Sequence, residues 1–172
     1  MSKVLYFSLL IVLSASASLS RFEDVILMAK SSGDMSKYLK PTKNCQVKDK
    51  SIQSKAKSLS GGSEREKAEK IFHFVQRQIP YERYSNSRYG AVRTLKRGKG
   101  NCCDQAHLLV ALFRAAGLPA RYLHGNDHWW TEVYVGGKWY PCDPTNQRHK
   151  FGKPDHKGRQ PKNPSSHISL DH

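Results

Sequence analysis

The chain has 172 residues, of which 25% are charged and 38% apolar, a composition suited to one globular domain with a buried core. Against 14 Asp and Glu stand 29 Lys and Arg, and the resulting formal charge of +15 selects anionic partners such as acidic lipid or an acidic wall. No ribonucleoprotein, helix-turn-helix or zinc-finger pattern accompanies that charge, so an anionic surface is expected and specific nucleic-acid binding is not.

The first 17 residues read as an export signal. Lys3 supplies a positive start, Val4 to Leu13 a short apolar run, and Ala15-Ser16-Ala17 a small-residue cleavage site. The run is too short for a stable transmembrane anchor, so a secreted or cell-wall-associated protein is expected. Residues 18–62 read as an N-terminal helical segment. Arg21 to Lys30 places Phe22, Val25, Ile26 and Ala29 at helical spacing, and Ser51 to Leu59 is a second short helix before the Gly61-Gly62 break.

The main domain is expected over 63–151. Ser63 with Glu66 three residues on is a capping box, and Ala68, Ile71, Phe72, Val75 and Ile79 form one stripe of a helix that stops before Pro80. Tyr81 to Gly100 reads as an irregular basic loop. Cys102 to Ala116 is the firmest helix, ended by Gly117 and Pro119. Three strands follow, Ala120–His124, Trp129–Val135 and Lys138–Cys142, with Gly136-Gly137 as a two-residue hairpin loop. After Asn146 apolar residues nearly vanish and histidines scatter at His149, His156, His167 and His172. That composition predicts a basic, disordered tail over 152–172 and no metal site.

Three residues carry the chemistry. Asn101 is a good N-cap, which puts Cys102 in the first helical turn, where the helix dipole and unpaired amides favour thiolate. By register Cys102 lines up with Ala106, Leu109, Val110 and Phe113, the face expected to meet the sheet. Cys103 lines up with His107 and Arg114, the side expected to be wetter. A nucleophile must meet a strand-borne base, which favours Cys102. In the hairpin, Val135 faces Lys138, Tyr134 faces Trp139 and Trp130 faces Asp143, so His128 and Asp143 become diagonal neighbours on one face. Asp143 can then orient His128, leaving its second nitrogen for the thiol. His107 and His124 are rival bases, but neither has an aspartate to orient it. No C-x-x-C pair suggests zinc, and no cofactor is called for. A Cys45–Cys142 disulfide stays open, as does a strained Cys102–Cys103 bridge that would silence the nucleophile.

These segments, G-x-C-x-D-x-A-H-L, A-A-G-L-P-A-R-Y, H-x-W-x-E-V-Y-V and W-Y-x-x-D-P-T in order over 98–146, resemble the transglutaminase-like cysteine protease superfamily. The resemblance implies an α+β, papain-like fold with a central helix packed on a small antiparallel sheet. It also implies Cys102, His128 and Asp143 as a catalytic triad. A longer stretch, Tyr38 to Phe151 with its run G-N-C-C-D-Q-A-H-L-L-V-A-L, resembles the pseudomurein endoisopeptidases of methanogenic archaea and their viruses. This implies hydrolysis of an isopeptide bond in a peptide cross-link of an archaeal cell wall. The short Gly125–His128 connection, Trp129 and Cys142 depart from that pattern at the border of the cleft, where substrate is chosen. Two rival functions remain beside this reading: acyl transfer to an amine, and a wall-binding module without catalysis.

Overall fold

The computed structural model describes residues 34–154 and 164–170. The chain divides into two units, Met1–Met35 and Ser36–His172, and the fold is that of the second. The expected signal segment and the helix over Arg21–Lys30 lie outside the described residues.

Among the described residues, a short 3-10 helix, Met35–Leu39, and four α-helices precede a four-stranded sheet. Helix α1 spans Lys50–Leu59, with the Asp49 side chain accepting from the Ser51 amide at its start. Helix α2 spans Glu64–Gln78, and both halves of its capping box form: Glu66 N donates to Ser63 Oγ at 3.3 Å and Ser63 N to Glu66 Oε2 at 2.8 Å. The sequence did not announce α3, Gly90–Arg97. Helix α4 spans Cys102–Ala115 and is buried from Cys103 to Arg114, all the way round its axis. A helix enclosed on every side needs neighbours on every side, and α4 packs against α1, α2, α3, β1 and β2.

The sheet is antiparallel throughout, in the order β3-β2-β1-β4, with β1 Ala120–Gly125, β2 His128–Val135, β3 Lys138–Cys142 and β4 Ser165–His167. Gly136 and Gly137 turn the β2–β3 hairpin with φ of 55° and 86°, values that glycine adopts without a Cβ clash. The observed pairs Val135↔Lys138 and Tyr134↔Trp139 are those of the expected register. Asn126 and Asp127, φ 52° and 56°, turn the β1–β2 hairpin in the same way.

Two expected boundaries move. The Gly61-Gly62 break separates α1 from α2 as read, but Cys45, Val47, Ile52 and Ala56 ahead of it are buried in the same core as Ile71, Phe72 and Leu109. The tail is not disordered over residues 164–170. There, β4 adds to the sheet beside β1 (Leu123↔Ser166), Leu170 is 1% exposed, and Arg114 Nη2 donates to Ile168 O at 2.8 Å. The physical reason is that edge-strand pairing uses main-chain groups, so Ser-Ser-His serves although it carries no apolar signal.

Candidate active site

Asn101 caps α4 as expected, its side chain accepting from Asp104 N at 3.0 Å. The segment before it is pinned to the chain ahead: Glu82 N donates to Gly100 O at 3.0 Å and Gly100 N to Pro80 O at 3.2 Å. Tyr84 crosses the helix start, where its hydroxyl accepts from Asn101 N at 3.0 Å and donates to Asp104 Oδ2 at 2.5 Å.

Asp104 is the anchor of this rim. Its fully buried carboxylate also accepts from Ser87 Oγ at 2.8 Å and from the amides of Arg88, Tyr89 and Gly90 at 3.1, 3.1 and 2.9 Å. Those amides open α3, whose own N-cap residue, Tyr89, makes no side-chain cap. The helix is thus capped by a carboxylate from another helix, which explains why it could not be read locally. Burial alone would raise the Asp104 carboxyl, but the hydrogen bonds from Tyr84, Arg88, Ser87 and Gly90 hold it below the usual carboxylate range.

The three predicted residues meet. His128 Nε2 lies 2.8 Å from Asp143 Oδ2, and the Cys102 thiol at the mouth of α4 stands beside the same imidazole, close enough for each to shift the other's pKa. With Nε2 on Asp143, Nδ1 is the nitrogen left for the thiol. The Trp130 ring stacks on His128 at 5.7 Å and 17°, limiting ring rotation. Asp143 is fully buried and its second oxygen is also used: Oδ1 accepts from Thr145 N at 3.0 Å and from Thr145 Oγ1 at 2.6 Å.

The electrostatics follow from these contacts. The Cys102 thiol is held far below the usual thiol range by a hydrogen bond from Cys103, which outweighs burial, helped by His128 and the Trp129 main-chain amide. Cys103 is pushed up correspondingly by that bond and by burial. Burial pulls the His128 imidazolium down, yet the Asp143 hydrogen bond and the Cys102 contact more than reverse this, to about 9. A thiolate beside an imidazolium is the resting state these shifts favour. Tyr81 stands beside this pair; partial burial and the Cys102 charge push its phenol up.

The face of α4 in line with Cys102 is buried as expected, but the side expected to be wetter is buried as well. Cys103 is buried, and so are His107 and Arg114 on the side expected to be wetter, while Cys102 is the partly open thiol. Cys102 still reaches His128, because the helix mouth is where α4 emerges from its neighbours. The rival bases sit elsewhere: His107 bonds Tyr122 Oη in the core at 3.1 Å, and His124 stacks on Trp129 at 4.3 Å. All four cysteines are free thiols, so neither disulfide left open by the sequence forms. Among the described residues, no group of side chains has the makings of a metal site, and no helix is long and apolar enough to cross a membrane.

One residue near the centre was missed. His149, read as part of a scattered histidine set, is 6% exposed and packs against Asp143. No periodicity or spacing marks it, since it lies in a loop.

A helix-mouth cysteine facing a strand histidine and aspartate, on this helix-and-sheet frame, defines a class of thiol-bearing α+β domains. Residues 52–144 match the family described as the transglutaminase-like superfamily, and the chain belongs to it. The chain is 31% identical to a candidate cysteine protease from Cytophaga hutchinsonii over 66% of its length, with a TM-score of 0.58. A candidate protease from Parabacteroides distasonis, 18% identical over 66% of this chain with a TM-score of 0.50, shares the fold alone. The chain spans only 43% and 26% of these two proteins. A comparison with curated proteins finds no match.

Proposed function

We propose that this domain is a cysteine hydrolase that cleaves an amide or isopeptide bond through a thioester on Cys102. The observation that carries the reading is His128 held between the Cys102 thiol and the buried Asp143 carboxylate. In this reading the Cys102 thiolate attacks the carbonyl carbon and a C–S bond forms. Amides of the first turn of α4 face the developing oxyanion. The imidazolium of His128 hands its proton to the departing amine as the C–N bond breaks. Water then attacks the thioester, His128 takes the water's proton, and the acid leaves as Cys102 is restored. Asp143 stays ionised and orients His128 throughout.

The proposed substrate is a peptide cross-link of a cell wall such as pseudomurein, met outside the cell. Supporting it are the likeness of the Tyr38–Phe151 stretch to the endoisopeptidases and the +15 charge, which attracts an anionic wall. A synthetic isopeptide, assayed for free amine and free carboxylate with intact protein and with Cys102→Ala, tests the chemistry. Release of both products by the intact protein alone supports hydrolysis. With an added amine, a new amide in place of the acid would mark a transferase. Wall binding that persists in Cys102→Ala, with no turnover by either protein, would mark a binding module. A zymogram on purified pseudomurein tests the substrate separately.

A further inference from the structure

Asp143 is approached by two histidines. His128 Nε2 reaches Oδ2 at 2.8 Å from β2, while His149 Nδ1 lies 3.3 Å from the same oxygen and 3.1 Å from the Asp143 main-chain oxygen. Both acceptors belong to one residue, so a proton on His149 Nδ1 is shared between them.

The placement of His149 is built from behind. Gln76 on α2, itself 4% exposed, donates from Nε2 to His149 O at 2.9 Å and to Asn146 O at 2.8 Å. Gln147 Nε2 returns a hydrogen bond to Gln76 O. A buried glutamine thus fixes the main chain of the 146–149 loop against α2, and the loop delivers an imidazole to the far side of Asp143.

The geometry says what that imidazole does. The terminal torsion of an aspartate is broad, so a carboxylate must be held at both oxygens to point one way. Thr145 holds Oδ1. Were His128 the sole partner of Oδ2, the group to be oriented would also be the group doing the orienting. His149 removes that circularity by holding Oδ2 and the Asp143 backbone from a side that does not move with the reaction.

We propose that His149 is a positioning residue that fixes the Asp143 carboxylate toward His128 and so keeps the His128 imidazole turned toward Cys102. This rests on the Cys102–His128–Asp143 reading of the site. Among the described residues, Cys103 on α4, Tyr81 on the preceding segment and His128 on β2 are titratable groups that face Cys102, and His128, His149 and the neighbouring Cys142 thiol face Asp143.

The test uses the whole chain and needs no substrate for its first readout. The rate of Cys102 alkylation by iodoacetamide, mapped by peptide, is followed against pH for the native protein, His149→Phe and His149→Asn. Phenylalanine keeps the ring and loses the donor, whereas an asparagine amide can place a donor where Nδ1 stood. His149→Phe is expected to move the alkylation midpoint to higher pH and to lower kcat on a soluble isopeptide about tenfold with KM unchanged. His149→Asn is expected to restore both to within about twofold. An unchanged midpoint and kcat in a folded His149→Phe, or no rescue in a folded His149→Asn, would overturn the proposal.

If His149→Phe does not fold, the histidine tautomers of the native protein decide by nitrogen-edited NMR. A proton on His149 Nδ1 is expected, and a proton on Nε2 alone would overturn the assignment. Absence of isopeptide turnover in the native protein would instead sink the proposed function, and the alkylation profile would still report on His149.

Discussion

Two buried carboxylates flank the nucleophile, and they differ in the kind of partner each one holds. Asp104 and Asp143 are both fully buried, and each has hydrogen bonds to both oxygens. Asp104 is satisfied by two hydroxyls and three main-chain amides, none of which changes charge near neutral pH; Tyr84, whose hydroxyl it binds, is pushed further up by burial and by that bond. Asp143 is satisfied by a threonine and two histidines, and one of those histidines touches a thiol. Burial and saturation therefore do not mark a catalytic carboxylate. A titratable partner linked onward to a nucleophile does.

The largest effect sets the floor for that comparison. Cys102→Ala is expected to abolish isopeptide turnover, while Cys103→Ala keeps a substantial fraction, because Cys102 is the partly open thiol beside His128 and Cys103 is buried. Alkylation mapping that found Cys103 modified first would reverse the two roles. Next, Asp143→Asn should lower turnover per folded molecule by roughly 10³–10⁴-fold. Near-normal turnover in that variant would remove Asp143 from the chemistry.

Asp104→Asn should do the opposite. It turns an acceptor among five donors into a group that must donate, costing about 3 kcal/mol of stability while leaving kcat per folded molecule within about tenfold. Thermal unfolding paired with active-site titration checks this, and a stable but dead Asp104→Asn would erase the contrast. Because the folded Asp104 carboxyl is depressed, its contribution is present above the ordinary carboxylate range and is lost as pH falls through the folded value.

The pH profile sharpens the comparison further. The active pair needs Cys102 unprotonated and His128 protonated, so kcat/KM should fall on the alkaline side near pH 9, where His128 loses its proton. Asp143→Asn should bring that limb down toward the ordinary histidine value, and Asp104→Asn should leave it in place. In stability terms His128 runs the other way from Asp104. Its folded value lies above 6.5, so its contribution is full below that pH and disappears as pH rises through about 9. The smallest effect concerns the tail: Leu170→Ala should cost about 2 kcal/mol if residues 164–170 belong to the core. A variant with unchanged melting temperature would return that segment to the surface.

What the sequence disclosed was local. The Ser63–Glu66 box, the Gly136-Gly137 turn and the strand register each depend on residues a few positions apart, and each formed as read. The register in turn put Asp143 beside His128. What stayed hidden depended on distant partners. Helix α3 is capped by Asp104, Leu170 is buried by packing across the fold, and His149 is aimed by Gln76 on another helix. The choice between Cys102 and Cys103 leaned on a wet face that α4 does not have. A helix enclosed on all sides offers no amphipathic stripe from which to tell inside from outside.

Arg114 gives the fold an unusual kind of latitude. Its guanidinium, 3% exposed, donates to the main-chain oxygens of Lys40, Ala120 and Ile168, at 2.5, 2.9 and 2.8 Å through its terminal nitrogens. Every residue type carries a carbonyl, so this one side chain binds three stretches of polypeptide, two of them remote in sequence, without dictating the identity of any residue in them. The contact therefore constrains where those stretches lie and not which side chains they carry. Arg114 itself has no such freedom, because a lysine's single ammonium cannot reproduce a planar fork reaching three carbonyls in different directions.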